Sequence, residues 1–231
     1  MADDPNSLIL KTLAEKSMVK LEVYNNTLIA FKSMKKVARY MASNFRKQLR
    51  GVDDRIHVEF RDEGPFQFGL KIAGDIIIYS MHTNVFEFDR KHQIWNTPTV
   101  KKDDFASYCG MINVYNFLAD SFKYNRDNDM GYLIGRMFIN KDNYFFVEGK
   151  RQLGVLFNQF GKEKIDTKEV RKIIQSTILF SLEFDLLVPP YDQVAVATVE
   201  QINRKSSSSQ MKTAKRLGFQ FYNEDENLTH L

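Results

Sequence analysis

The chain reads as an α+β domain: an antiparallel β-meander extended by a central hairpin, with helices packed on one face and an N-terminal helical arm. Three observations predict this. Residues 56–88 alternate apolar and polar side chains in short runs separated by turn signals, which is the pattern of antiparallel strands. Residues 8–50 instead repeat apolar residues every three or four positions, the helical period. Strands and helices also come in blocks rather than in strict alternation, which favours segregated layers over a doubly wound parallel sheet.

Pro5-Asn6-Ser7 opens the first helix, with Asn6 or Ser7 as its cap. The helical pattern runs to Tyr24, and Asn25-Asn26 could bend or break it. A clearer stripe follows at Leu28, Phe31, Met34, Ala38, Met41, Phe45 and Leu49, and Gly51 supplies the stop. One long helix and a helical hairpin both satisfy this pattern. Ile56, Val58 and Phe60 then alternate with polar neighbours, Asp62-Glu63-Gly64-Pro65 makes a turn, and Phe66, Phe68, Leu70 and Ile72 alternate again. Residues 76–81 read as a strand buried on both faces, followed by strand 85–88 and a short segment at Gln93-Ile94-Trp95. Asp103 or Asp104 caps an expected helix with Phe105, Tyr108, Ile112, Tyr115, Ala119 and Phe122 in register. Residues 131–156 read as two long strands around a polar turn at 140–143. A strongly apolar helix begins near Thr167 and runs towards Pro189-Pro190. A short strand is expected at 193–199 and a basic helix at 210–217. The expected division is an arm at 1–50, an α+β domain at 51–222 and an acidic, unstructured tail at 223–231.

Composition narrows the function classes. At 231 residues, 43% hydrophobic and 27% charged, the chain is long enough to bury a sizeable core. Nineteen Phe and ten Tyr against one Trp suit a core packed on sheet faces. The single cysteine, Cys109, rules out an internal disulfide framework and a cysteine-cluster zinc site. It is expected to be a buried side chain rather than a nucleophile. No secretory pattern opens the chain and no apolar run reaches the length of a membrane span, so a cytoplasmic location is expected.

The net charge of +4 is unevenly placed. Residues 27–50 hold seven Lys/Arg and no acid, and residues 201–222 hold five more and no acid, whereas Glu224, Asp225 and Glu226 make the C-terminus acidic. Lys32, Lys36, Arg39, Arg46 and Arg50 fall away from the apolar stripe of their helix. They form a cationic face suited to a nucleic-acid backbone or another anion.

For catalysis the residues to weigh are Asp142, Glu148 and Lys150. Two carboxylates and a lysine can hold a divalent cation and stabilise charge beside a scissile phosphate. In residue type the triplet resembles the restriction-endonuclease-like superfamily, over one hairpin only, and that resemblance implies a metal-dependent nuclease. Asp142 lies only six residues before Glu148, and a glycine stands where the family has an apolar residue between Glu and Lys. His57 with Glu59, and His82 with Asp89 and His92, are further places where groups could converge, without the spacing of a metal motif. No phosphate-cradling glycine loop and no nucleophile elbow occurs. The expectation is therefore a non-enzymatic binding or interaction module without cofactor or metal, whose partner is a protein or a second copy. The alternatives are nucleic-acid binding through residues 27–50 and 204–216, and a metal-dependent nuclease.

Overall fold

A single antiparallel sheet of six strands in sequence order, β1 to β6, organises the molecule. The structure, a computed structural model, describes residues 4–53, 55–150, 152–184, 188 and 190–200. The strands are β1 (Val58–Asp62), β2 (Gln67–Ile72), β3 (Asp75–Glu87), β4 (Tyr108–Leu118), β5 (Tyr132–Asn140) and β6 (Phe145–Gly149). Each pairs with its sequence neighbour, so every connection is a hairpin or a short excursion. The 76–81 and 85–88 runs are one strand, β3, with a register irregularity between Met81 and Val85.

The N-terminal 44 residues from Pro5 to Gln48 form one helical rod: α1 (Pro5–Thr12), a π-helical turn (Leu13–Ser17) and α2 (Met18–Gln48). Of the two arrangements left open, one long helix and a helical hairpin, the rod is the first: Asn25-Asn26 does not break it. Asn26 instead donates its side-chain amide to the carbonyl of Lys141 at 2.6 Å, so a residue that disfavours helix interiors is used to satisfy the β5–β6 turn. From Val23 onward the rod packs diagonally across the sheet. Thr27 lies against Gly110 of β4, where a Cβ would collide with it, and Arg46 reaches Val58 of β1. The helix α6 (Thr167–Leu182) lies beside α2 on the same face. It is capped by Asp166, which accepts from the Glu169 amide at 2.8 Å. Phe31, Met34, Ala38 and Met41 of α2 meet Phe68, Leu70, Ile77, Tyr79 and Ile112 from the sheet and Ile173, Ile174 and Ile178 from α6. Helices therefore cover one face of the sheet, as the α+β reading requires.

The opposite face carries a smaller cluster. The excursion between β3 and β4, comprising a 3₁₀ turn (Gln93–Asn96), α3 (Pro98–Lys102) and a second 3₁₀ turn (Asp104–Ser107), lays Ile94, Val100 and Ala106 on Cys109, Phe138 and Phe146. Phe138 and Phe146 stack at 5.0 Å there.

Three local expectations are corrected. The helix expected across residues 105–122 is strand β4; only α4 (Ala119–Lys123) at its end is helical. β4 lies between β3 and β5, with both of its faces largely covered. Its apolar residues therefore lack a clean alternation with polar ones, and spacings of three and four arise by coincidence. The second hairpin strand ends at Gly149, and residues expected to continue it form the short helix α5 (Gln152–Leu156). Residues Tyr191–Val194, where the 193–199 strand was expected to begin, form α7. The expected basic helix at 210–217 and the acidic tail lie outside the described residues.

Candidate functional site

The exposed face of α2 is the most coherent chemical feature of the surface. Lys32, Lys36, Arg39, Arg46 and Arg50 are all exposed, with successive separations of four, three, seven and four residues. Those steps keep Lys32, Lys36, Arg39 and Arg46 on one side of α2, turned away from Phe31, Met34, Ala38 and Met41, and Arg50 follows in the turn just past Gln48. Lys32 to Arg50 spans about 27 Å along the axis at 1.5 Å per residue. Lys47 joins the row from the flank and is likewise exposed.

The cations of this row are not equivalent. Arg46 donates twice to the carbonyl of Val58, at 3.0 and 3.2 Å. That carbonyl belongs to the edge strand, so Arg46 blunts an open edge as well as carrying charge. Arg39 ion-pairs with Asp62 at 3.1 Å and sits 4.8 Å from the centre of the Phe60 ring. Lys35, outside the row, binds the same Asp62 carboxylate at 2.6 Å and also donates to the Gly64 carbonyl. The Lys35 ammonium, and secondarily Arg39, hold the Asp62 carboxyl below the usual carboxylate range. The side chains of Lys32, Lys36, Lys47 and Arg50 have no hydrogen-bond or ion-pair partner among the described residues. Tyr40, on the α6 side of the row, is well exposed, and the Arg171 guanidinium of α6 lies 5.4 Å from its ring centre. The cationic character thus continues from α2 onto α6 around an exposed aromatic ring.

The Asp142, Glu148 and Lys150 triplet is not gathered in this way. Asp142 sits in the β5–β6 turn, where Asn140 accepts its amide at 3.0 Å, while Glu148 is near the far end of β6. About 10 Å of strand separates Phe145 from Glu148 alone. Glu148 is bound by Arg136 and by His92 Nε2 at 3.3 Å. His92 Nδ1 in turn accepts the Ile94 amide at 3.2 Å and caps the 3₁₀ turn. Both ring nitrogens are engaged, which leaves none to act as a base or to ligate an ion. His57 lies just before β1, at the Asp75 end of β3, and His82 is seven residues further along that strand. The two are separated by roughly 20 Å. Glu59 pairs with Arg61 at 3.0 Å, and that arginine holds its carboxyl below the ordinary value. Among the described residues no group of three or more His, Cys, Asp or Glu is placed to hold a metal ion. Cys109 is fully buried, and that burial pushes its thiol up, away from a reactive thiolate.

A cleft of about 910 Å³ lies at the end of the sheet where β4 meets α4. Arg55, Lys71, Lys123 and Arg126 line it together with Asp53, Asp75 and Asp120. Asp53 pairs with Arg55 at 2.7 Å and Asp129 with Arg126 at 2.9 Å, so the charges largely offset one another and the cleft selects neither sign. Among the described residues no helix is long and apolar enough to cross a membrane. No protein family, no curated protein and no solved structure matches the chain.

Proposed function

We propose that this chain is a non-catalytic binding module that engages an extended polyanion, a nucleic-acid backbone, through the outer face of α2. The observation that carries the reading is the row Lys32, Lys36, Lys47 and Arg50, exposed and unpaired, on a helix segment that has no acid between residues 27 and 50. A row of cations about 27 Å long is comparable with about eight base-pair steps of duplex at 3.4 Å each. Three of its four free cations are lysines, point charges that suit phosphates rather than base edges, so the expected binding is sequence-independent. Tyr40 beside Arg171 offers a stacking surface for an unpaired base. Residues 204–216, with Arg204, Lys205, Lys212, Lys215 and Arg216, add charge to the same reading.

Charge reversal tests it. Lys32→Glu, Lys36→Glu and Arg50→Glu combined should weaken binding to random-sequence duplex DNA by more than about tenfold, with the circular dichroism spectrum unchanged. Lys101→Glu with Lys102→Glu, on α3 and outside the row, should leave binding within about twofold. Equal loss in both variants would reject α2 as the site.

A further inference from the structure

The rod continues past the sheet. Between Pro5 and Leu21, Leu8, Ile9, Leu10, Leu13, Met18 and Leu21 are each 55–67% exposed. Among the described residues, the ring contacts that tie this segment down are Lys16 and Lys20, 5.3 and 5.9 Å from the ring centre of Tyr108. An exposed helix with apolar side chains on several sides belongs in an assembly rather than in water, and a projecting helix of this length is marginal alone. We infer that this arm is a self-association element, buried against the arm of a second copy of the chain.

Two observations favour a second copy over other occupants. The first is area. Six side chains at these exposures present on the order of 600 Å² of apolar surface. A standard interface takes about 800 Å² per partner, a little over half of it apolar, so the arm alone supplies the apolar part of a specific interface. The second is charge. Glu15 within the arm and Asp4 and Glu22 directly at its two ends offset Lys11, Lys16 and Lys20. Two arms therefore meet without the repulsion that two α2 faces would suffer, whereas a membrane-surface helix would need a cationic polar face and aromatic anchors. The pairing stands independently of the polyanion reading, since it uses no residue of the cationic row.

Light scattering coupled to gel filtration on the full chain tests it. The expected mass at micromolar concentration is twice the 27.0 kDa of the monomer. Leu10→Glu with Leu13→Glu should return it to the monomer mass with helix content and thermal midpoint retained, and Val155→Glu, an exposed apolar residue off the arm, should stay dimeric. Because Cys109 is buried, a Leu13→Cys variant also reports on the arms alone: air oxidation should yield a covalent dimer that Val155→Cys does not give. A monomeric wild-type chain, or a dimer that survives the Leu10/Leu13 change, would overturn the inference. So would a monomer that dimerises only after residues 201–231 are deleted, because the chain's own C-terminus would then be the occupant.

Discussion

Thr177 makes two hydrogen bonds inside the core, and they are not interchangeable. Its hydroxyl donates to the Ile174 carbonyl at 2.8 Å and meets the Tyr79 hydroxyl at 2.5 Å. Burial pushes the Tyr79 phenol well up, so it stays neutral. Tyr79→Phe removes one bond and leaves Thr177 satisfied by Ile174, and should cost about 1 kcal/mol. Thr177→Val strands the Tyr79 hydroxyl in the core and should cost more, about 1–3 kcal/mol. Urea denaturation of both variants checks the order. Gly110 makes a second test. A Cβ there would run into Thr27 of α2, so Gly110→Ala should destabilise by about 1–3 kcal/mol. None of these contacts was legible in the sequence. Tyr79 reads as a strand residue and Thr177 as part of an apolar helix, but nothing in their spacing shows that residues 98 positions apart meet. The burial of Cys109 was legible from its apolar neighbours, although those neighbours suggested the wrong kind of element.

At the scale of elements, α2 and β1 are clamped by electrostatics as well as packing. Lys35 and Arg39 of the helix share Asp62 of the strand. Elsewhere, Lys141 of the β5–β6 turn binds Asp103, which precedes the second 3₁₀ turn, at 2.8 Å. The Lys141 ammonium and the Phe105 amide hold the Asp103 carboxyl below its ordinary value. Carboxyls depressed in the folded state contribute stability that is present above the unfolded value, near 3.8, and lost as pH falls through the folded one. The thermal midpoint should therefore drop as the medium is acidified below about pH 4. In Asp62→Asn or Asp103→Asn the proton uptake on unfolding in that window should fall by up to about one per carboxyl removed. Calorimetry across pH measures it directly. The strong helical periods of α2 and α6 and the alternation in β1 and β2 were legible because each element buries one face only. β4 was not, because a central strand covered on both faces loses the polar half of its pattern. Asn25-Asn26 left one helix or two open for a related reason: whether an asparagine interrupts a helix depends on whether a distant carbonyl can take its amide.

For the molecule as a whole, the organising fact is that charge and apolar surface are separated along one rod. Its N-terminal part is neutral and exposes leucines; its C-terminal part buries its apolar side and turns cations outward. The cationic row was legible in the sequence, since the spacing of Lys32, Lys36, Arg39, Arg46 and Arg50 against the apolar stripe is enough to place them. Which of them are free was not legible. That depends on Asp62 and the Val58 carbonyl, brought to the helix by the sheet. The Glu148 cluster likewise shows its character only in three dimensions, where His92 and Arg136 engage the carboxylate. The central claim is that unpaired cations on α2 bind a phosphate backbone. It is tested most directly by titrating the chain into fluorescein-labelled random-sequence duplex DNA at stepped salt concentrations and reading anisotropy. With Lys32, Lys36, Lys47 and Arg50 as the free contacts, the plot of log K against log salt should be linear with a slope of about −3 to −4, falling to about −1 in the Lys32/Lys36/Arg50→Glu variant. No binding at the lowest salt, or the same slope in that variant, would contradict it.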